Sequence, residues 1–339
     1  APAPLRPVLA AMSRCIAFMA EPIDADLVHC HTWYTHLGGI LVRKGQGIPM
    51  VVTVHSLEPL RPWKREQLGG GYELSSWVER TALEMADAVI AVSRGTRDDV
   101  LRLFRVPPER VHVVHNGIDA EFFRPDPATD ALERHGVDPS MPYVLFVGRV
   151  TRQKGIVHLV RAIRHLEPGI GVVLCAGQAD TPALAAEVRD GVGEARARRA
   201  NVVWIDEMVS REAVRQLYSH AAVFCCPSVY EPFGIINLEA MACETPVVAS
   251  AVGGIPEVVV DGETGVLVPV RLRADDPMSP VDPDRFERDL ASAINALMAA
   301  PSRRAAMGRA ARRRAIEHFS WSAIARQTVA LYGSLVAAG

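Results

Sequence analysis

The sequence predicts an α/β protein made of two doubly wound, Rossmann-like domains. Three observations carry this. Short apolar runs alternate with amphipathic helical stretches along most of the 339 residues, the pattern of parallel sheets covered by helices. The alternation occurs twice, with the turn-rich Asn116-Gly117-Ile118-Asp119 and Arg124-Pro125-Asp126-Pro127 between the sets. A composition of 49% hydrophobic and 22% charged residues over this length is enough for two separate cores.

Taken in order, Ala1-Pro2-Ala3-Pro4 reads as a linker, and no initiator Met precedes it. A helix is expected over 8–20 and strands over 26–30 and 50–55. The polar, glycine-rich stretch 61–71 reads as a mobile loop. A helix over 73–85, a strand over 88–92, a helix over 95–104 and a strand over 111–114 complete the first set. Four strands are few for a Rossmann half. The expectation is that an amino-terminal segment with further strands is missing and that the first sheet keeps an open edge. The second set has strands over 143–147, 171–176, 201–205, 221–226, 247–251 and 265–268. Helices such as 155–166 and 211–219 lie between them. The alanine-rich tail 301–339 reads as helical, interrupted near Phe319-Ser320-Trp321.

The most informative stretch runs from Tyr230 to Pro246. The strand ending at Cys226 delivers Glu231 into a loop, Gly234 permits a tight turn, and a helix over 235–243 carries Glu239. Ligands of open α/β sheets bind beyond the carboxyl ends of strands. A helix amino terminus attracts phosphate, and carboxylates accept hydrogen bonds from sugar and ribose hydroxyls, so the pattern suits a sugar nucleotide. Two acids eight positions apart are also common surface residues. A glycosidase pair fits poorly, because eight helical residues span about 12 Å and such pairs sit closer. Gly148-Arg149, followed by Lys154-Gly155, lies after the first strand of the second set. Arg149 offers a forked donor and Lys154 a point charge, together suited to a diphosphate, although a basic loop before a helix has the same appearance. The order of a Walker A loop is absent.

A net charge of −2 implies no nucleic-acid partner. Six cysteines without a Cys-x-x-Cys pair read as reduced, buried thiols of a cytoplasmic protein. No apolar run reaches membrane-spanning length and no signal peptide is visible, so no stable membrane insertion is expected.

Four motifs occur in a known family order: His115-Asn116-Gly117-Ile118-Asp119, Gly148-Arg149 with Lys154-Gly155, Glu231-Pro232-Phe233-Gly234 with Glu239-Ala240, and Ala251-Val252-Gly253-Gly254-Ile255-Pro256-Glu257. Together they resemble the retaining glycosyltransferases of two-Rossmann (GT-B) architecture, the large family that contains bacterial glycogen synthases and many mannosyl- and glucosyltransferases. Three first-half stretches resemble the actinobacterial-type glycogen synthases more narrowly. They are His29-Cys30-His31-Thr32-Trp33-Tyr34, the run from Thr53 through His55 and Glu58 to Trp63-Lys64, and Gly69-Gly70-Gly71-Tyr72-Glu73-Leu74-Ser75. That group uses ADP-glucose and makes maltose 1-phosphate from glucose 1-phosphate.

The resemblance implies an acceptor-side domain over 1–120, a nucleotide-sugar domain over 121–320 and a carboxy-terminal helix over 321–339 packing back on the first. It implies that Arg149 and Lys154 hold the diphosphate, and that Glu231 with the Phe233 and Gly234 amides holds the transferred sugar. Glu239 would hold the ribose, and His55 would face the sugar. The implied partners are a nucleotide-sugar donor and a sugar phosphate or glucan acceptor, with no metal and no cofactor; a homo-oligomer is compatible. The family's glycine-rich phosphate loop is absent, in keeping with a missing front. A lipid-acceptor mannosyltransferase, a UDP-sugar 2-epimerase and a non-catalytic sugar-nucleotide module remain alternatives.

His29, His31 and His36 lack a fitting carboxylate cluster and read as core or cleft residues. Asp24, Asp26, Asp282 and Asp284 read as turn residues, Ser93 as a helix N-cap, and the arginines over 303–314 as a solvated helix face.

Overall fold

A computed structural model describes residues 5–61 and 64–337; the Ala1–Pro4 linker reading and Trp63 lie outside the described residues. The chain divides into two units, Ala1–Asn116 with Ile324–Gly339, and Gly117–Ala323.

In the first unit, strands β1 (Val28–His31), β2 (Met50–Val54), β3 (Ala88–Ala91) and β4 (Val111–Val113) form one parallel sheet in that order. Among the described residues β1 pairs only with β2, so it stands at an edge. Val52, Val54, Val89 and Ala91 pack beneath one face with Leu57, Ala82, Leu83 and Phe104. Val51, Ala88 and Ile90 point to the other face, where Ile324, Leu331, Tyr332 and Leu335 of the helix Trp321–Val336 cover them. Alternate residues of β2 and β3 therefore serve two apolar layers, which is why those strands read as near-continuous apolar runs.

Two expectations need correction here. The helix Trp33–Gln46 went unread between the first two strands. Gly38 and Gly39 weaken its helical signal, yet the packing requires the second of them: a Cβ on Gly39 would come within 2.4 Å of Cys30 Sγ. The stretch 61–71 is not a loop throughout. Lys64–Leu68 is helical, built from good helix formers, and Gly71 already begins the helix Gly71–Met85.

In the second unit, β5 (Tyr143–Val147), β6 (Gly171–Cys175), β7 (Val202–Ile205), β8 (Val223–Cys226), β9 (Val247–Ser250) and β10 (Gly265–Val268) form a parallel sheet ordered β10-β9-β8-β5-β6-β7. From β5 the chain winds outward one way through β6 and β7; it then returns to β8 and winds the other way. β5 and β8 are thus neighbours at a topological switch point, where ligands of such sheets bind. Helices Ile156–Ala162, Pro182–Arg198 and Pro283–Met298 bury one face through Leu159, Val188, Leu290 and Ile294. Asp282 caps the last of these, accepting from the Arg285 N–H at 2.9 Å.

The helix Pro301–Phe319 also departs from expectation. Arg303, Arg309 and Arg313 are exposed as expected, but three other arginines bind carbonyl oxygens. Arg304 donates to Leu297 at 3.2 Å, Arg314 to Val258 and Glu257 at 2.8 Å each, and Arg312 to Phe123 at 3.3 Å and to Ala242. Guanidinium reach across a helix terminus explains this; such donors satisfy carbonyls the helices leave open.

Candidate active site

In the second unit the site is built on the loops after β5 and β8. Gly155 has φ +64°, and a Cβ there would lie 2.0 Å from the Pro227 carbonyl oxygen. Only glycine lets the Lys154 turn rest against the end of β8. The Val229 N–H then donates to the Gln153 carbonyl at 2.9 Å, and the Thr151 hydroxyl accepts from the Lys154 N–H at 3.2 Å. These contacts place Lys154 Nζ 2.6 Å from Glu231 Oε2. Glu231 is buried at 7% exposure, and the Ser228 hydroxyl donates to the same oxygen at 3.2 Å. Burial works against the charge on Lys154, but the neighbouring carboxylates, Glu231 foremost, outweigh it and hold its pKa above the ordinary value.

Gly253 secures the other side of the Glu231 loop. Its φ is +53°, and a Cβ would approach the Glu231 carbonyl oxygen to 2.0 Å. The next N–H, of Gly254, donates to that carbonyl at 3.0 Å. Phe233 is buried and Gly234 adopts φ +92° before the helix Ile235–Ala242. No side chain caps that helix start, and the Asn237 N–H donates to the Gly234 carbonyl at 2.9 Å. Glu239, one turn on, accepts from the Tyr218 hydroxyl at 3.1 Å; burial raises its pKa, with Tyr218 and Arg211 opposing.

The structure thus sets Lys154, on the loop after β5, against the loop–helix unit that carries Glu231, Phe233, Gly234 and Glu239. Arg149 lies on the same β5 loop but is largely exposed, and its guanidinium pairs with Asp180. Sequence reading missed Asp180, Ser228, Tyr218 and Asn237. Asn237 is fully buried with both amide atoms unpartnered, and its Nδ2 sits 2.6 Å from where a Gly234 Cβ would be. Only Tyr218 carried a signal, an aromatic hydroxyl at the end of an amphipathic helix.

His55 belongs to the first unit, just past β2. Its Nε2 lies 3.0 Å from His31 Nδ1, and His29 bonds the Thr53 hydroxyl at 2.7 Å and the Tyr332 hydroxyl at 2.5 Å. Desolvation, then mutual repulsion, pulls His29 and His55 down to about 4. One hydrogen bond between two imidazoles needs one donor and one acceptor nitrogen, which neutral rings supply. Among the described residues no cluster of three or more His, Cys, Asp or Glu is arranged to hold a metal ion. The six cysteines are free and buried, and no described helix is long and apolar enough to cross a membrane.

Comparison with known proteins bears on the family and the fold. Residues 129–278 match the family described as Glycosyl transferases group 1, and residues 1–122 match Glycosyltransferase Family 4. An alpha-maltose-1-phosphate synthase of Mycolicibacterium smegmatis is 54% identical over 312 residues, 91% of this chain and 79% of that protein. A D-inositol 3-phosphate glycosyltransferase of Mycobacteroides abscessus is 32% identical over 328 residues, 94% of this chain and 68% of that protein. The sucrose-phosphate synthase structure from Thermosynechococcus elongatus superposes with a TM-score of 0.79 at 30% identity, covering 99% of this chain and 79% of that one. HepE of Anabaena, solved with UDP-glucose, gives 0.75 at 20% identity over 98% of this chain and 82% of its own, a likeness of fold. The chain belongs to the family 4 type of GT-B glycosyltransferases. It is a hexosyltransferase.

Proposed function

We propose that the chain moves glucose from ADP-glucose, with retention of configuration, to glucose 1-phosphate, giving maltose 1-phosphate, or to an α-1,4-glucan chain, in cytoplasmic glycogen synthesis. The observation that carries the reading is the Lys154–Glu231 pair at 2.6 Å beside the β5/β8 switch point. An ammonium group there can accept a departing diphosphate, and the adjacent carboxylate can hold the hydroxyls of the sugar that leaves it. Glu231 is tied to Lys154 and Ser228, which suits binding better than nucleophilic attack. The departing phosphate would then take the acceptor's proton on the same face of the sugar. Arg149 would exchange Asp180 for the diphosphate, Glu239 would hold the ribose, the Phe233 and Gly234 amides would bind sugar hydroxyls, and His55 would serve the sugar. These two cations carry the diphosphate charge in this scheme, which assigns no metal or cofactor. The donor and acceptor rest on the 54% identity to the maltose-1-phosphate synthase and on the first-half motifs. Turnover is measured with ADP-, UDP- and GDP-sugars against glucose 1-phosphate and maltooligosaccharides. ADP-glucose with glucose 1-phosphate is expected to give maltose 1-phosphate and ADP. Preference for GDP-mannose, or release of UDP without an acceptor product, would refute the reading.

A further inference from the structure

The segment after β2 carries a polar network that the donor chemistry does not use. Glu58 and Glu79 are buried at 1% and 4% exposure, and the Glu58 N–H donates to Glu79 Oε2 at 2.9 Å. The Ser75 hydroxyl donates to Glu58 Oε2 at 2.9 Å, and the Tyr72 hydroxyl to the Glu58 carbonyl at 2.8 Å. Two cations lie over this pair. Lys64 Nζ sits 3.0 Å from Glu58 Oε1, and Arg61 Nη1 sits 3.8 Å from the same atom. Arg61 also donates to the Ser56 hydroxyl at 2.6 Å. Unlike the acids, both cations keep solvent-accessible surface, 24% for Arg61 and 15% for Lys64.

Burial and the neighbouring Glu58 charge push Glu79 up to about 8, so it carries its proton at neutral pH. One carboxylate then faces two cations; burial, then the Arg61 charge, hold the Lys64 pKa below its ordinary value, a repulsion that an incoming anion would relieve. Lys64 has three N–H donors and Arg61 five, more than Glu58 and Ser56 occupy. A buried acid that holds two partly exposed cations in fixed geometry, with the Ser56 hydroxyl on Arg61 next to His55 in the chain, is arranged to receive an anion with several oxygens.

We propose that Ser56, Arg61 and Lys64 bind the phosphate monoester of the acceptor sugar. The proposal rests on the glycosyl-transfer reading above and narrows its acceptor: a neutral glucan end brings no charge to meet these cations, whereas a sugar phosphate does. Glu58 acts as a positioning residue that holds Lys64 and Arg61.

The test uses the full chain with ADP-glucose and compares glucose 1-phosphate with maltooligosaccharide in Arg61→Gln, Lys64→Gln and Lys64→Arg. The glutamine variants are expected to raise KM for glucose 1-phosphate by about tenfold or more, as loss of a charge-assisted bond does. KM for ADP-glucose and for the oligosaccharide should hold within about twofold by the same accounting, and Lys64→Arg should recover most of the loss. A clasp without a ligand role predicts instead that all three KM values move together or none moves, and either result overturns the proposal. Thermal melting identifies a variant that fails to fold. Arg61→Gln, which removes only the looser contact with Glu58 at 3.8 Å, keeps the test readable if Lys64→Gln fails to fold. If no donor turns over, the glycosyl-transfer reading fails on its own terms. Titration of glucose 1-phosphate by calorimetry, with ADP present to fill the donor site, then reads the acceptor site directly. Binding that the glutamine variants weaken supports the proposal, and equal binding or none in the parent chain overturns it.

Discussion

Lys154→Met separates the two things the Lys154 ammonium does. In the folded chain it neutralises Glu231, whose side chain is 9% exposed, while its own side chain is 20% exposed. Removing one partner of a buried pair costs about 3–5 kcal/mol, because a charge is left behind without an answer. The partial exposure of Lys154 lets some water reach the orphaned carboxylate, so the lower end applies, about 3 kcal/mol. The Ser228 hydroxyl at 3.2 Å remains as a donor but brings no charge. Adding Glu231→Gln removes the orphan charge, so the double variant should regain about 2 kcal/mol relative to additivity. Activity should behave otherwise: Lys154→Met and the double variant lose about 10²–10³ in kcat, since neither has a cation at the leaving group, while Glu231→Gln keeps Lys154 and lowers kcat only through the sugar contact it removes. Urea unfolding at pH 7 and steady-state rates on the same samples read both quantities. An unchanged Lys154→Met stability, or strictly additive losses, would refute the reasoning about the pair. Near-normal turnover would refute the leaving-group role.

Three further outcomes are expected. Glu239→Gln should mainly raise donor KM, since a ribose contact is alike in ground and transition states, and Glu231→Gln should mainly lower kcat, without rescue by azide or formate; equal kcat effects would mean the roles are misassigned. Gly253→Ala forces a Cβ against the Glu231 carbonyl at 2.0 Å and an unfavourable φ, so chemical denaturation should show a loss of at least about 1–3 kcal/mol together with lower activity. Glu79 titrates near 8 in the fold and near 4.5 when unfolded, so the folded chain holds the extra proton between those values and its stability falls as pH rises through that window, by up to about 5 kcal/mol; Glu79→Gln should flatten the pH dependence of urea midpoints from pH 5 to 8.5, and an unchanged slope would count against a protonated Glu79.

Most of the ten strands were legible because they sit in sheets covered on both sides and so read as apolar runs, although Val28–His31 and Val111–Val113 carry histidines; Tyr143–Val147 and Gly265–Val268 agree to the residue. The tail break was legible because Phe319-Ser320-Trp321 interrupts an alanine-rich helix, and Ser320 is extended between the two helices observed. The helix Trp33–Gln46 was hidden by its glycines, of which Gly39 is required by close contact with Cys30 and Met50, a tertiary reason. The same holds for the site. Glu231, Lys154 and Glu239 could be singled out as residues, but Lys154 lies 77 positions from Glu231 and no local spacing joins them. The strand order β8-β5 joins them, through the Gly155 turn. Asp180, paired with Arg149, and the arginine clasps of Arg304, Arg312 and Arg314 are likewise set by who lies opposite in space, so composition alone gave a solvated face.

Retaining transfer from ADP-glucose is tested most directly by following the anomeric protons of the product during turnover. Proton NMR of the chain with ADP-glucose and glucose 1-phosphate should show ADP and a new α-1,4-linked glucosyl signal growing together, one for one, from the first turnovers. A first-formed β-linked product, or loss of ADP-glucose with no glucosyl transfer to any acceptor, would contradict the account.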